Sequence, residues 1–167
     1  ALHPEHGLAV IAYDPKLLGD TPVRSATLSE EPLAPGDDVW IVGFDDAQRM
    51  VFRHTDVARI EEQAVPIPEP PRFRETNLEL IFPSEDIGTV GGALADGKGR
   101  VRALWSSISK DTRGGADAFF AGVPIDLVAE MVAPLRRGEP FVWHSLGLEL
   151  GTVPLATAAE RGLGQDA

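Results

Sequence analysis

The amino-acid sequence predicts a mainly β fold of antiparallel strands, closed by a helix near the carboxyl end. Three observations predict this fold: apolar runs of strand length between turn residues, a glycine-rich hairpin, and one segment of helical periodicity. Of the 167 residues, 43% are hydrophobic and 25% are charged, so the chain can build a globular core.

Two dense apolar runs begin the strand pattern. Leu8–Tyr13 and Val39–Phe44 are rich in β-branched or aromatic residues and are bounded by turn formers, which predicts two buried strands. Trp40 is expected to be largely buried with them. The longer run Val51–Ile60 has mixed polarity, which predicts a half-exposed strand.

A proline-rich stretch separates these strands from the next one. The four prolines of Pro66–Pro71 predict an extended surface loop, because proline lacks a backbone N–H and fixes φ. Beyond this loop, apolar and polar side chains alternate over Leu78–Phe82, a period of two that predicts another strand.

A hairpin and two helices complete the predicted fold. Asp96–Gly99 joins two strand candidates, and its glycines suit a tight turn, while Trp105 in the second strand is expected to be buried. The helix after Pro124 has an apolar face, with Asp126 as its amino-terminal cap and a stop at Gly138; Pro134 is expected to kink or end it, because an interior proline costs about 3 kcal/mol. A shorter helix is predicted over residues 154–161.

The charge balance and the missing cysteines exclude several functions. The net charge of −11 disfavours both nucleic acid and an acidic membrane as partners. The absence of cysteine excludes disulfides, thiolate catalysis and Cys-ligated zinc. No cofactor or metal is expected, and the pair His3 and His6 is interpreted as solvated. No membrane span or secretion signal is recognisable, so the chain is expected to be soluble, while its compartment stays open.

Gly88–Leu94 carries the motif that decides the interpretation. It resembles the nucleophile loop Gly-Asn-Ser-Gly-Gly-Pro-Leu of trypsin-like serine proteases of the HtrA (Deg) type, with Val90 where the family has its serine. Three further segments resemble family segments in the family order: His6–Ile11, Leu33–Gly43 and Phe120–Val128.

The resemblance implies a chymotrypsin-like antiparallel β-barrel fold. Residues 1–46 would be the last strands of a first barrel, residues 47–139 the second barrel with its closing helix, and residues 140–167 the beginning of a PDZ-like module. Within that module, Ser145, Leu146, Gly147 and Leu148 resemble the loop through which PDZ domains bind the carboxylate of a peptide C-terminus.

The resemblance also implies that catalysis is lost. Serine hydrolysis needs a hydroxyl, an imidazole and a carboxylate that orients the imidazole. Val90 replaces the hydroxyl, Gly7 stands at the aspartate position, and the family's histidine would lie upstream of Gly7. No catalytic residue is therefore expected, and the oxyanion loop survives only as a remnant: Gly88, Thr89, Val90, Gly91 and Gly92. The chain looks most like the inactive second protease unit of tandem HtrA-like proteins, which implies a non-catalytic scaffold or regulatory unit.

Two alternatives stay open. An active endopeptidase would take its missing groups from a segment outside this chain, or would use Thr89 or Ser84 as its nucleophile. An unrelated β-barrel adaptor would share the hairpin by accident. The expected partners are a sister protease unit or a second copy, because the apolar Leu8–Tyr13 has no strand before it, and peptide C-termini for the PDZ-like segment.

Overall fold

The computed structural model describes residue 1 and residues 8–66, 75–85, 88–112, 115–142, 144, 153 and 155–163. Within these ranges the chain forms a short 3-10 turn at Pro15–Leu18, six strands and two α-helices. The elements are β1 (Asp38–Phe44), β2 (Met50–Pro66), β3 (Glu75–Pro83), β4 (Gly92–Ala95), β5 (Val101–Thr112), β6 (Gly115–Pro124), α1 (Ile125–Arg136) and α2 (Leu155–Glu160).

The strands form one closed antiparallel barrel in the order β1-β2-β3-β6-β5-β4. The predicted mainly β barrel followed by a helix is therefore confirmed. Alternation of side chains builds it: Val39 and Ile41 of β1 are fully buried, whereas Trp40 and Val42, which alternate with them, lie on the outer surface. The barrel interior is one apolar cluster of residues that are 3% exposed or less: Val39, Ile41, Val57, Ile81, Leu94, Ala103 and Trp105.

Helix α1 packs on the outside of the barrel through its apolar face. Ile125 and Met131 are buried, and Leu127 packs on a second cluster that contains Leu80 and Val123. Burial of side chains of this size contributes about 1.5–3 kcal/mol each. This second cluster fixes the helix against the barrel wall.

The amino-terminal end of α1 differs in detail from the prediction. Pro124 occupies the cap position without a side-chain hydrogen bond, and Asp126 lies in the first turn instead of capping it. The helix ends at Arg136, two residues after Pro134, which agrees with the prediction that it ends near this proline. The short second helix is confirmed as α2, with Gly162 after it at φ +70°.

The predicted strands around the proline-rich stretch are confirmed and are longer than expected. β2 and β3 pair continuously from Arg59 with Phe82 to Pro66 with Glu75. Pro66 ends β2, as its missing N–H favours, while Pro68, Pro70 and Pro71 lie outside the described residues.

Two strand-end turns share one construction. In the predicted hairpin, the Asp96 carboxylate accepts hydrogen bonds from the backbone N–H groups of Lys98 and Arg100 and from the Arg100 guanidinium, at 2.6–2.9 Å. Gly99 supplies the positive φ of +74° that the turn requires. The turn Asp45–Arg49 between β1 and β2 repeats the pattern, with Arg49 bonded to Asp45 at 2.8 Å through both its backbone and its side chain.

The prediction of a buried strand at Leu8–Tyr13 is wrong. The segment forms no strand, and Ile11 and Tyr13 are 81% and 56% exposed. Leu8 alone packs on the apolar cluster beside α1. Apolar composition indicates burial only where another element covers the segment, and no described strand pairs along it.

The predicted boundary at residue 46 is also wrong for β1, which was assigned to a first barrel. β1 pairs with β2 and with β4, and so closes the barrel described here. Before it, Leu28 forms a parallel bridge with Val101 at the start of β5. The Ser29 N–H donates to the Val101 carbonyl oxygen at 3.0 Å, and the Val101 N–H donates to the Thr27 carbonyl oxygen at 2.8 Å. Trp40 is only half-buried, because it lies on the outer surface. The other predicted boundaries stay predictions.

Candidate functional site

The nucleophile-like loop, residues Gly88–Gly92, leads into β4. Its central side chains point in opposite directions: Thr89 is 3% exposed, whereas Val90 is 66% exposed. Gly91 and Gly92 have φ angles of +142° and +155°, which side chains with a Cβ rarely adopt. The two glycines therefore set the path of the loop.

Close backbone contacts with β1 fix the position of this loop. A Cβ on Gly92 would collide with the carbonyl oxygen of Val42, and a Cβ on Gly43 would collide with that of Gly91. The backbone N–H of Val90 donates a hydrogen bond to the carbonyl oxygen of Phe44 at 2.8 Å. The loop shape is thus set by backbone atoms of two strands.

Trp105 supports the loop from inside the barrel. Its indole N–H donates to the Thr89 hydroxyl oxygen at 2.8 Å, and its ring stacks on Phe120 with 5.8 Å between the ring centroids. Trp105 is 3% exposed, so its predicted burial is confirmed. Sequence reasoning missed the link to Thr89, although the hairpin register that pairs Trp105 with Gly92 brings the two residues close.

The two alternative nucleophiles are engaged elsewhere. The Thr89 hydroxyl lies beneath the loop with Trp105, and the Ser84 hydroxyl donates to the Asp56 carboxylate at 2.6 Å. His54 lies on the outer surface, 2.9 Å from Asp38 through Nε2. Among the described residues, no imidazole is hydrogen-bonded to either hydroxyl.

The perturbed carboxyl groups lie in the two turns and not in the nucleophile-like loop. A backbone hydrogen bond from Arg49 lowers the pKa of Asp45, and one from Arg100 lowers the pKa of Asp96. Strongly shifted groups in a cleft indicate chemistry, but these two are turn-forming side chains.

Several predicted site residues lie outside the described residues. They are His3, His6, Gly7 and the PDZ-like loop Ser145, Leu146, Gly147 and Leu148. Within the described ranges, no three His, Asp or Glu side chains are grouped to hold a metal ion. Helices long and apolar enough to span a membrane are likewise missing from the part of the chain described above.

Sequence comparison connects the chain to known serine proteases. No protein-family model matches it. It is 35% identical over 97% of its length to the PDZ domain-containing protein C23G3.12c of Schizosaccharomyces pombe. It is 33% identical over 97% to the pro-apoptotic serine protease NMA111 of Yarrowia lipolytica, and 31% identical over 82% to Protease Do-like 7 of Arabidopsis thaliana. The chain belongs to the HtrA (Do-like) serine protease family.

The HtrA relatives are far longer than this chain, which spans 17% of the length of the Schizosaccharomyces protein. Membership of the HtrA family confirms the resemblance found in the sequence, and the alternative of an unrelated β-barrel adaptor is wrong.

Solved structures of HtrA-type and other proteases show weaker similarity. The inactive form of the Rv3671c protease of M. tuberculosis matches with a TM-score of 0.49 and 18% identity, over 75% of this chain and 65% of that chain. The HtrA-type protease AlgW with a decapeptide matches with a TM-score of 0.47 and 18% identity, over 84% of this chain and 42% of that chain.

Proposed function

We propose that this chain is a non-catalytic trypsin-like unit that serves as a scaffold or regulatory part of an HtrA-like PDZ protein. One observation carries the proposal: at the nucleophile position stands Val90, whose backbone N–H is bonded to the carbonyl oxygen of Phe44 at 2.8 Å. In serine proteases the N–H of the nucleophile residue helps to stabilise the oxyanion of the intermediate. In this chain valine supplies no hydroxyl, and its N–H is already bonded to Phe44, so neither group is available for the reaction.

The surroundings of the loop support the same proposal. A serine nucleophile is weak until an imidazole takes its proton. The Thr89 hydroxyl accepts the indole N–H of a buried Trp105, and the Ser84 hydroxyl is bonded to a carboxylate. Neither arrangement activates an oxygen for attack on a peptide carbonyl.

The proposed scaffold role includes two partners. A sister protease unit or a second copy would pack against the barrel, and the segment 140–167 would begin a PDZ-like module that binds peptide C-termini through its backbone. These partners fit a unit that positions peptides without cutting them.

The proposal is tested by activity measurements on the 167-residue chain. We expect no casein cleavage and no labelling by a fluorophosphonate, because neither the Thr89 nor the Ser84 hydroxyl is hydrogen-bonded to an imidazole that could activate it. Val90→Ser is expected to stay silent as well, since an unactivated serine reacts poorly and the N–H at position 90 remains bonded to Phe44.

Two controls make the result decisive. An active HtrA protease confirms that both assays work, and Thr89→Val and Ser84→Ala remove the two alternative nucleophiles. Labelling of the native chain that disappears in either variant would establish the rival function, an active endopeptidase with an altered nucleophile.

A further inference from the structure

The chain holds two sulfur atoms, and the fold places them in opposite environments. The sequence contains no cysteine and two methionines, Met50 and Met131. Met50, the first residue of β2, is 75% exposed, whereas Met131 in α1 is 0% exposed. Both lie within the described residues, so Met50 carries the only sulfur of the chain that solvent reaches in the folded state.

Met50 lies at the end of an exposed apolar surface, where β2 begins after the turn Asp45–Arg49. Its cross-strand partner is Phe44, the last residue of β1, and Phe52 lies two residues further on the same face of β2. Phe44 and Phe52 are 55% and 60% exposed. A small molecule in solution therefore reaches the Met50 thioether without any opening of the barrel.

Access to the thioether decides how fast a methionine is oxidised by a peroxide. The sulfur lone pair attacks one peroxide oxygen, the O–O bond breaks, and an S–O bond forms. Sulfur loses two electrons, and hydrogen peroxide is reduced to water. Unlike a thiol, the thioether has no proton to lose before it reacts, so no neighbouring base is needed. In a chain without cysteine, no thiolate competes for the oxidant.

We propose that Met50 is a peroxide-reactive modification site that sets the polarity of the outer surface of β1 and β2. The sulfoxide replaces a flexible apolar side chain with a polar one that accepts hydrogen bonds. Beside Phe44 and Phe52, this change reduces the exposed apolar surface. Methionine sulfoxide reductases convert the sulfoxide back to the thioether, so the modification is reversible.

Met131 is an internal reference for this site. Because it is buried beneath α1, peroxide reaches its sulfur only when the helix opens from the barrel. Such local openings occupy a small fraction of the time in a folded domain. The proposal does not depend on the proposed function, since peroxide oxidation requires no catalytic activity of the chain.

Hydrogen peroxide treatment of the native 167-residue chain, followed by digestion and mass spectrometry, tests the reactivity of Met50. We expect Met50 to gain one oxygen atom at least about tenfold faster than Met131, because only Met131 must wait for local opening. In concentrated urea the two rates are expected to become similar, which shows that the fold causes the difference. Equal rates in the folded chain, or faster oxidation of Met131, would overturn the proposal.

Hydrophobic-interaction chromatography tests the effect on the surface, since retention increases with exposed apolar area. The oxidised native chain is expected to elute earlier than the untreated chain, and treatment with a methionine sulfoxide reductase is expected to restore its retention. Met50→Leu keeps an apolar side chain and is the matched control, whose retention peroxide leaves unchanged. Met50→Gln imitates the polar sulfoxide and is expected to elute early without peroxide.

Circular dichroism checks that both Met50 variants fold. Retention that stays the same when Met50 is oxidised, or that shifts equally in Met50→Leu, would overturn the proposal, as would a sulfoxide at Met50 that the reductase does not reduce.

Discussion

The two ends of β4 carry loops that are shaped by opposite means. The turn Asp96–Arg100 is held by its own residues, since the Asp96 carboxylate bonds to the backbone and side chain of Arg100. The nucleophile-like loop is held by residues distant in the sequence: Val90 bonds to Phe44 and Thr89 to Trp105. Hydrogen bonds within the turn shape one loop, and contacts with other strands of the barrel shape the other.

This difference teaches how a protease-like loop can keep its shape without its chemistry. The contacts of Gly91, Gly92 and Val90 with β1 are backbone contacts, so they do not depend on the side chain at position 90. The shape of the loop is therefore no evidence of activity. Whether such a loop can catalyse depends on the side chain at position 90 and on the hydrogen-bond partner of the N–H at that position.

The largest expected effect comes from removing the side chain beneath the nucleophile-like loop. Trp105→Ala is expected to lower the free energy of unfolding by about 3–5 kcal/mol, because it empties part of the barrel core. Trp105→Phe keeps a ring and removes only the N–H bonded to Thr89, so its loss is expected to be smaller, about 1–2 kcal/mol. Urea unfolding measures both. A loss below about 1 kcal/mol for Trp105→Ala would show that distant packing does not hold the loop.

A second variant tests the backbone contact between β1 and the loop. Gly43→Ala places a Cβ against the Gly91 carbonyl and is expected to cost about 3 kcal/mol, because the strands must separate. Gly97→Ala in the hairpin is the matched control: a Cβ there meets no atom within 4 Å. Equal stability of the two variants in thermal melts would contradict the close approach.

A smaller, stabilising effect tests whether the strand-end turns are shaped by their own residues. In the turn Asp45–Arg49, Gln48 has φ +58° where the hairpin has Gly99. Because residues with a Cβ are strained in this region, Gln48→Gly is expected to stabilise the chain by up to about 1 kcal/mol. The reverse change, Gly99→Gln, is expected to destabilise it by a similar amount. Denaturant midpoints measure both, and a destabilised Gln48→Gly would mean that the two turns are not equivalent.

The smallest expected effect is a dependence on pH. The backbone hydrogen bond from Arg100 lowers the pKa of Asp96 below its ordinary value of 3.8. The stabilisation is therefore complete above that value and is lost as the pH falls through the lower, folded-state pKa. Asp96→Asn is expected to reduce the loss of stability in acid, with Asp45→Asn as its counterpart in the other turn. Urea unfolding from neutral pH to about pH 2 gives the slope of the unfolding free energy against pH. If neither turn contributes, this slope is the same in the variants as in the native chain.

Most of the barrel was predictable from local patterns, and the errors have physical causes. Alternation and turn residues gave the strands at Val51–Ile60 and Leu78–Phe82 and the hairpin at Asp96–Gly99, because these features depend on neighbours in sequence. Leu8–Tyr13 was mispredicted because its composition does not reveal whether an element covers it. The assignment of β1 failed because its partners are set by tertiary pairing.

The candidate site likewise has some features that the sequence reveals and others that only the folded structure reveals. The glycines of the loop and the valine at position 90 are visible in the sequence. The bond from Val90 to Phe44 is not, because these residues are separated by β2 and β3 and meet only when the barrel closes. The bond from Trp105 to Thr89 follows from the register of the β4–β5 hairpin, which pairs Trp105 with Gly92.

The pairing of β1 with β4 has a consequence for how the chain folds. Hairpins β1–β2, β4–β5 and β5–β6 join neighbouring segments, but the Gly43–Gly92 pair brings together residues about fifty positions apart. Closing so long a loop is slow, and barrels rich in such contacts fold in milliseconds to seconds. The seam between β1 and β4 is then a late step in assembly. Until it closes, the edges of both strands are open to other chains, so the concentration during refolding decides how much chain reaches the closed barrel.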